Sequence, residues 1–259
     1  MRTTITAGLA ALVLTAGSAL LPQQTSAQDS FSKAQTEELH TIIRDYLLEN
    51  PAILNEMIAK LQAAERDEQH KQARDAIAQN AKQLFHNEND VVVGNPDGNV
   101  TMVEFFDYNC GYCKRSTADV LRLIEEDKDL RIVMKEFPIL SEGSVIASRA
   151  ALASKEQGKY WDFHLALMAS RGSIGDEDKV MSIAAEAGLD VEKLKADMAA
   201  NAEAIERDID ANRALAQAIG INGTPAFVID DTLVPGAMPY DQLATSVRIV
   251  RENGGCQFC

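Results

Sequence analysis

The stretch VTMVEFFDY, Val100 to Tyr108, runs almost directly into CGYC at Cys110 to Cys113, and this junction constrains the chain more than any other segment. β-Branched and aromatic residues without strict polar alternation suit a strand buried on both faces. Beyond the second cysteine, KRSTADVLRLIEEDK places Val120, Leu121 and Ile124 on one side of a helix, and RIVMKEF, Arg131 to Phe137, reads as another strand. Strand, helix and strand in that order favour a parallel pair with a right-handed crossover. The expected fold class is therefore α/β, with the C-x-x-C at a strand-to-helix junction.

A C-x-x-C by itself fits half of a metal site, a plain disulfide or a reactive thiol, and its position discriminates among them. Free N–H groups and the macrodipole at a helix N-terminus favour an anion, so a cysteine there loses its proton more easily. A thiol value near 8.5 falls to roughly 3.5–7.5 in such settings. Cys110 is the expected thiolate nucleophile. Cys113, one helical turn inward, is placed to attack the mixed disulfide that Cys110 makes with a substrate. The competing binding-protein reading has both C-x-x-C pairs chelating zinc through four sulfurs, or one pair holding Cu(I). The second pair, Cys256 and Cys259 in GGCQFC, follows Gly254-Gly255 and is expected to lie in a mobile tail. A small terminal disulfide is the first reading for it, with exchange with Cys110 or metal binding as alternatives.

The first 27 residues carry one charge, Arg2, an apolar run from Ala7 to Leu21 and small residues Thr25, Ser26 and Ala27. They read as an export signal cleaved after Ala27, the run being shorter than the roughly 20 apolar residues of a membrane span. The chain has 25 basic and 39 acidic side chains, a formal charge of −14; losing Arg2 takes this to −15. Such a surface disfavours nucleic acid and anionic membranes as partners. Four cysteines are too few for a disulfide scaffold.

Leu39, Ile42, Ile43, Tyr46 and Leu47 repeat at helical spacing, and Pro51 restarts a second helix with Leu54, Met57, Ile58 and Leu61, Asn50 serving as its N-cap. Two short amphipathic helices at 28–62 need a partner surface, so this module is expected to oligomerise. Residues 63–88 read as a polar, exposed helical linker, ended by the turn chemistry of Asn95-Pro96-Asp97-Gly98. The catalytic domain is expected over 89–253, with a helical stretch at about 141–219, and the tail over 254–259. Near the end, Ala226 to Ile229 reads as a strand, Asp230-Asp231 as a turn, then a strand to Val234 and an amphipathic helix. Thr224-Pro225 precedes the first of these strands, and on the residues alone an ordinary trans proline is expected there. His40, His70 and His86 are expected at the surface, and His164, near Trp161, in packing. Met102, Met134, Met168 and Met181 read as core.

Glu104, CGYC and Thr224-Pro225-Ala226-Phe227 together resemble the thioredoxin superfamily, and the helical stretch containing KYWDFHLALM resembles the insertion of its DsbA branch. LENPAILNEMIAKLQ is similar to the N-terminal module of ScsC-like proteins, the suppressor-of-copper-sensitivity group. The resemblance implies a DsbA-like thioredoxin fold preceded by a helical oligomerisation module, and a periplasmic thiol–disulfide oxidoreductase needing no cofactor. It implies Cys110 as nucleophile, Cys113 as resolving cysteine, Pro225 as a cis-proline that puts Thr224 beside the sulfurs, and Glu104 as a buried acid paired with Lys135. Gly-Tyr between the cysteines and Thr before the proline resemble isomerases, which implies a homo-oligomer such as a trimer acting on unfolded or misoxidised exported proteins. Its implied partner is a membrane thiol reductase of the DsbD or ScsB type. The alternatives are a dithiol oxidase with a DsbB-like partner, or a copper-binding protein of copper tolerance.

Overall fold

A computed structural model describes residues 31–259; the segment read as an export signal, 1–27, lies outside the described residues. The chain divides into two compact units, with the boundary between Ala59 and Lys60. In the first, helix α1 (Lys33–Glu49) opens on a capping box in which the Ser32 and Gln35 side chains satisfy each other's backbone N–H. Asn50 closes α1 rather than capping the next helix through its side chain, because its amide donates back to the Tyr46 carbonyl at 2.8 Å. Helix α2 (Ala52–Gln79) follows directly after Pro51. It runs without a break through the position where the sequence separates module from linker. No residue of α1 is buried, and Ile42, Ile43, Tyr46, Leu47, Leu54, Met57 and Ile58 are all exposed.

The second unit is built on a five-stranded sheet ordered β1-β3-β2-β4-β5. Its strands are β1 (Val91–Gly94), β2 (Val100–Phe106), β3 (Leu130–Glu136), β4 (Ala226–Ile229) and β5 (Thr232–Pro235). β2 and β3 are parallel, joined through helix α4 (Gly111–Glu126), while β1–β3, β2–β4 and β4–β5 are antiparallel. Every residue of β2 is buried because both faces of the sheet are covered. One face carries Val100, Met102 and Phe106 against Val120 and Leu123 of α4 and Leu243 and Val247 of α10 (Tyr240–Glu252). The other carries Val103, Phe105 and Val133 against Ile77, Leu84, Phe85, Leu215 and Ile219. Thus the end of α2 and the short helix α3 (Ala81–Phe85) are core of this unit, where the sequence suggested an exposed connector. Helices α5 (Glu142–Ala153), α6 (Tyr160–Ala169), α7 (Glu177–Glu186), α8 (Val191–Ala200) and α9 (Ala202–Ala218) fill the expected insertion. No helix of the described residues is long and apolar enough to cross a membrane.

β1 has no counterpart in the sequence reading. Its three valines are flanked by turn-forming residues and it is shorter than a typical strand, so the segment read as part of a boundary.

Candidate active site

Cys110 is the N-cap of α4, with an extended backbone (φ −77°, ψ 113°), and its sulfur accepts the Cys113 N–H at 3.4 Å. A capping position leaves orphan amides aimed at the capping atom, so the fold directs donors at this sulfur. The Thr224–Pro225 peptide is cis. Thr224 lies across from the helix end, its carbonyl oxygen accepting from Cys110 Sγ at 3.2 Å. The Thr224 hydroxyl is buried with no hydrogen-bond partner among the described residues.

The donors aimed at this sulfur lower the Cys110 thiol from its ordinary value to about 5. The chief cause is the hydrogen bond from the Cys113 side chain; burial opposes it, and the Cys113 and Tyr112 amides add to the lowering. Cys113 moves the opposite way. Burial, then its hydrogen bond to Cys110 and the nearby Glu104 charge, push it well above the thiol range. Both cysteines are free thiols.

Glu104 is 3% exposed, on the α4 side of β2, where alternation along the strand groups it with Met102 and Phe106. Burial first, and the Cys110 charge second, raise its carboxyl to about 8. Lys135 is not its partner. Lys135 pairs in register with Phe105, whereas Glu104 pairs with Met134. Side chains on parallel strands share a face with their register partners, so Lys135 points to the opposite side of the sheet. There it is fully buried and pairs with Asp90, and it donates to the Gln83 carbonyl at 2.8 Å. The implied Glu104–Lys135 pair is therefore corrected to a Lys135–Asp90 pair that fastens the α3–β1 segment under the sheet.

Two residues just before the cysteines, Asp107 and Asn109, carry positioning that sequence reasoning missed. Asp107 accepts from the Asn109, Ile139 and Leu140 amides at 2.7, 2.8 and 3.0 Å, and from the Ser144 hydroxyl at 2.7 Å. The Asn109 amide donates to Ser141 Oγ and the Ile174 carbonyl and accepts from the Ile174 N–H at 2.7 Å. They bolt the Cys110 loop to the start of the insertion, beside the exposed Ile139, Leu140 and Tyr112. The spacing D-x-N before a helix start is an Asx-turn signal that was available in the sequence. Below them, buried Glu136 accepts from Tyr108 and Tyr160, both at 2.8 Å, and from Ser148 at 2.7 Å. His164 stacks on Trp161 and contacts Tyr108, and burial lowers it to about 3, leaving a neutral packing residue. His40, His70 and His86 are exposed, and the four methionines named from the sequence are buried.

Cys256 and Cys259 form a disulfide at the other end of β2, where Cys259 Sγ lies 3.9 Å from the Thr101 carbonyl. From Thr101 to Phe106 the strand rises roughly 16 Å, so the two C-x-x-C pairs share neither a four-sulfur site nor direct exchange within one chain. The tail is also docked in this structure: Asp230 accepts from the Gln257 and Phe258 amides at 2.7 and 3.3 Å.

A parallel β2–α4–β3 unit, a dithiol capping the helix and a cis-proline loop facing it define a thioredoxin-type thiol–disulfide oxidoreductase domain. The DSBA-like thioredoxin domain family matches residues 101–248, and the N-terminal domain of copper resistance protein ScsC matches residues 35–68. The chain belongs to the DSBA-like thioredoxin domain family. A thioredoxin-like oxidoreductase from Silicibacter pomeroyi DSS-3 is 49% identical, with 66% of this chain and 97% of that one covered and a TM-score of 0.64. Proteus mirabilis ScsC in a transitional conformation is 30% identical, with 87% of this chain and 99% of that one covered and a TM-score of 0.63. The Na(+)/H(+) antiporter NhaA of Herminiimonas arsenicoxydans is 36% identical over 156 residues, 59% of this chain and 24% of the antiporter. The chain thus spans about a quarter of the length of the curated relatives that head the comparison.

Proposed function

We propose that this chain is a periplasmic thiol–disulfide isomerase and reductase acting on wrongly paired cysteines of exported proteins, with Cys110 as nucleophile and Cys113 as resolving cysteine. The observation that supports the exchange chemistry is the placement of two thiols three residues apart: Cys110 caps α4 opposite the cis Thr224–Pro225 loop and is held at about 5, and Cys113 is buried behind it and driven well above the ordinary thiol value. The Cys110 thiolate attacks one sulfur of a substrate disulfide, forming a mixed disulfide and expelling the other sulfur as a thiolate. If a substrate thiolate then attacks the mixed bond, Cys110 leaves unchanged and the substrate is re-paired with no net redox change. If Cys113 attacks instead, reduced substrate departs and a Cys110–Cys113 disulfide remains. That exit consumes two electrons, which a membrane thiol reductase of the DsbD or ScsB type returns.

Glu104 couples the two steps. While Cys110 is a thiolate, its charge helps keep the Glu104 carboxyl protonated. Once Cys110 is in a mixed disulfide that charge is gone, Glu104 ionises more readily, and its carboxylate takes the Cys113 proton. Thr224 offers its backbone beside the sulfur to an extended substrate, with Pro225 fixing that loop.

The exposed apolar residues of α1 and early α2 support homo-oligomerisation, which sets several catalytic domains around one substrate and raises effective concentration. Reactivation of scrambled, wrongly bridged ribonuclease tests the proposal. The full chain is expected to restore activity. A chain lacking everything through Ala59 is expected to be monomeric, with several-fold lower reactivation but unchanged reduction of insulin. The cut ends well before Ile77, Leu84 and Phe85, which belong to the core of the second unit. If the full chain instead inserts disulfides into reduced ribonuclease and leaves the scrambled form inactive, the protein is an oxidase.

A further inference from the structure

Cys256, Cys259 and Asp230 lie together at the end of the sheet opposite Cys110, with one ligand atom of each within 4.8 Å of the others. We propose that, when the tail disulfide is reduced, these three residues form a second site that binds a thiophilic divalent cation of the zinc class. The proposal is independent of the exchange chemistry at CGYC.

Three observations carry it. First, the spacing serves both states. The Cα atoms of Cys256 and Cys259 are 5.5 Å apart, within the range of a disulfide, and C-x-x-C is also the spacing that puts two thiolates on one zinc. Tetrahedral geometry with Zn–S near 2.3 Å asks for sulfurs roughly 3.7 Å apart, which side-chain rotation supplies without moving the backbone. Second, the third group is a carboxylate already fixed in place. Asp230 is 6% exposed, its Oδ1 lies 3.4 Å from Cys256 Sγ, and that oxygen holds the Gln257 and Phe258 amides. Arg74 pairs with the neighbouring Asp231 and not with Asp230. Third, the tail is seated, since Phe258 and Cys259 pack against the core cluster on the α2–α3 face of the sheet, so a cation would join groups already gathered. Two sulfurs and a carboxylate in so small a volume repel one another as anions, and a dication relieves that repulsion.

The redox step balances with an external dithiol. It gives two electrons and two protons to the Cys256–Cys259 bond and leaves as its own disulfide. Binding the cation then displaces the two thiol protons, and water fills the fourth position.

The test uses the full chain carrying Cys110→Ser and Cys113→Ser, reduced with a phosphine under argon, freed of reductant and titrated with Zn2+ against a chromophoric chelator. One Zn2+ per chain is expected. Cys256→Ser with Cys259→Ser is expected to abolish binding while leaving insulin reduction intact in the otherwise native chain. Asp230→Asn keeps an acceptor oxygen and tolerates the left-handed backbone found here (φ 53°), and is expected to weaken binding at least about tenfold. Absence of bound Zn2+, its retention after both tail cysteines are replaced, or unchanged affinity in Asp230→Asn would overturn the proposal.

Discussion

Cys110→Ser is expected to reduce disulfide exchange to the uncatalysed background, whereas Cys113→Ser is expected to keep attack and accumulate a mixed disulfide with substrate, visible as added mass. The asymmetry follows from what a thiol near 5 gains. At neutral pH a thiol of ordinary value near 8.5 is only a few per cent ionised, so the shift raises thiolate roughly thirtyfold. Intrinsic nucleophilicity falls as the pKa falls, with a Brønsted slope near 0.4–0.5, and over this shift that cancels roughly all of the gain. The net advantage lies in departure: a stabilised Cys110 thiolate is a good leaving group when another sulfur attacks the mixed bond. Serine offers neither a thiolate nor a sulfur to be attacked. Without Cys113 the bond forms but loses its internal exit. Exchange that survives in Cys110→Ser and disappears with Cys256→Ser would move the chemistry to the tail and defeat the proposed mechanism.

Glu104→Gln is expected to stabilise the folded protein at pH 8 by a few kcal/mol and to change it little near pH 5. Burial raises the folded carboxyl to about 8, whereas in the unfolded chain it titrates near 4.3. Between those values the folded state binds the extra proton, so stability falls as pH rises through this window and levels off above it. Each unit of difference corresponds to about 1.4 kcal/mol, which gives an upper bound of about 5 kcal/mol. Glutamine removes the ionisation and with it the loss. For a unit of this size, a few kcal/mol corresponds to a rise in Tm of roughly 5–10 °C. The same variant is expected to slow release of reduced substrate, since it removes the carboxylate proposed to take the Cys113 proton. A Tm difference that is the same at pH 5 and pH 8 would show that Glu104 is not held protonated.

The junction of β2, CGYC and α4 was legible because three local signals coincide there: a buried-strand composition, a helix with one apolar side, and a second strand after it. What was not legible depended on parity and on distant contacts. Glu104 and Lys135 both sit in strands beside the cysteines, yet Lys135 aligns with Phe105 rather than with Glu104. That single-residue offset sends it to Asp90 on the other face, and no pattern within either strand specifies the register. Ile77 looked isolated in a polar helix, and its burial comes from Leu84, Phe85 and the sheet above it. The cis peptide at Thr224–Pro225 was implied by the family resemblance and not by its neighbours in sequence, for which trans is the ordinary outcome. Exposure of the α1 residues agrees with their helical spacing, since a stripe with nothing in its own unit to cover it stays at the surface.

The claim on which the rest depends is that the capped sulfur ionises well below neutrality. Ultraviolet thiolate absorbance of the reduced protein, followed against pH and referenced to Cys110→Ser, measures it directly. The account predicts a transition at about 5 that is absent from the serine variant. A single transition in the ordinary thiol range near 8.5 would contradict it.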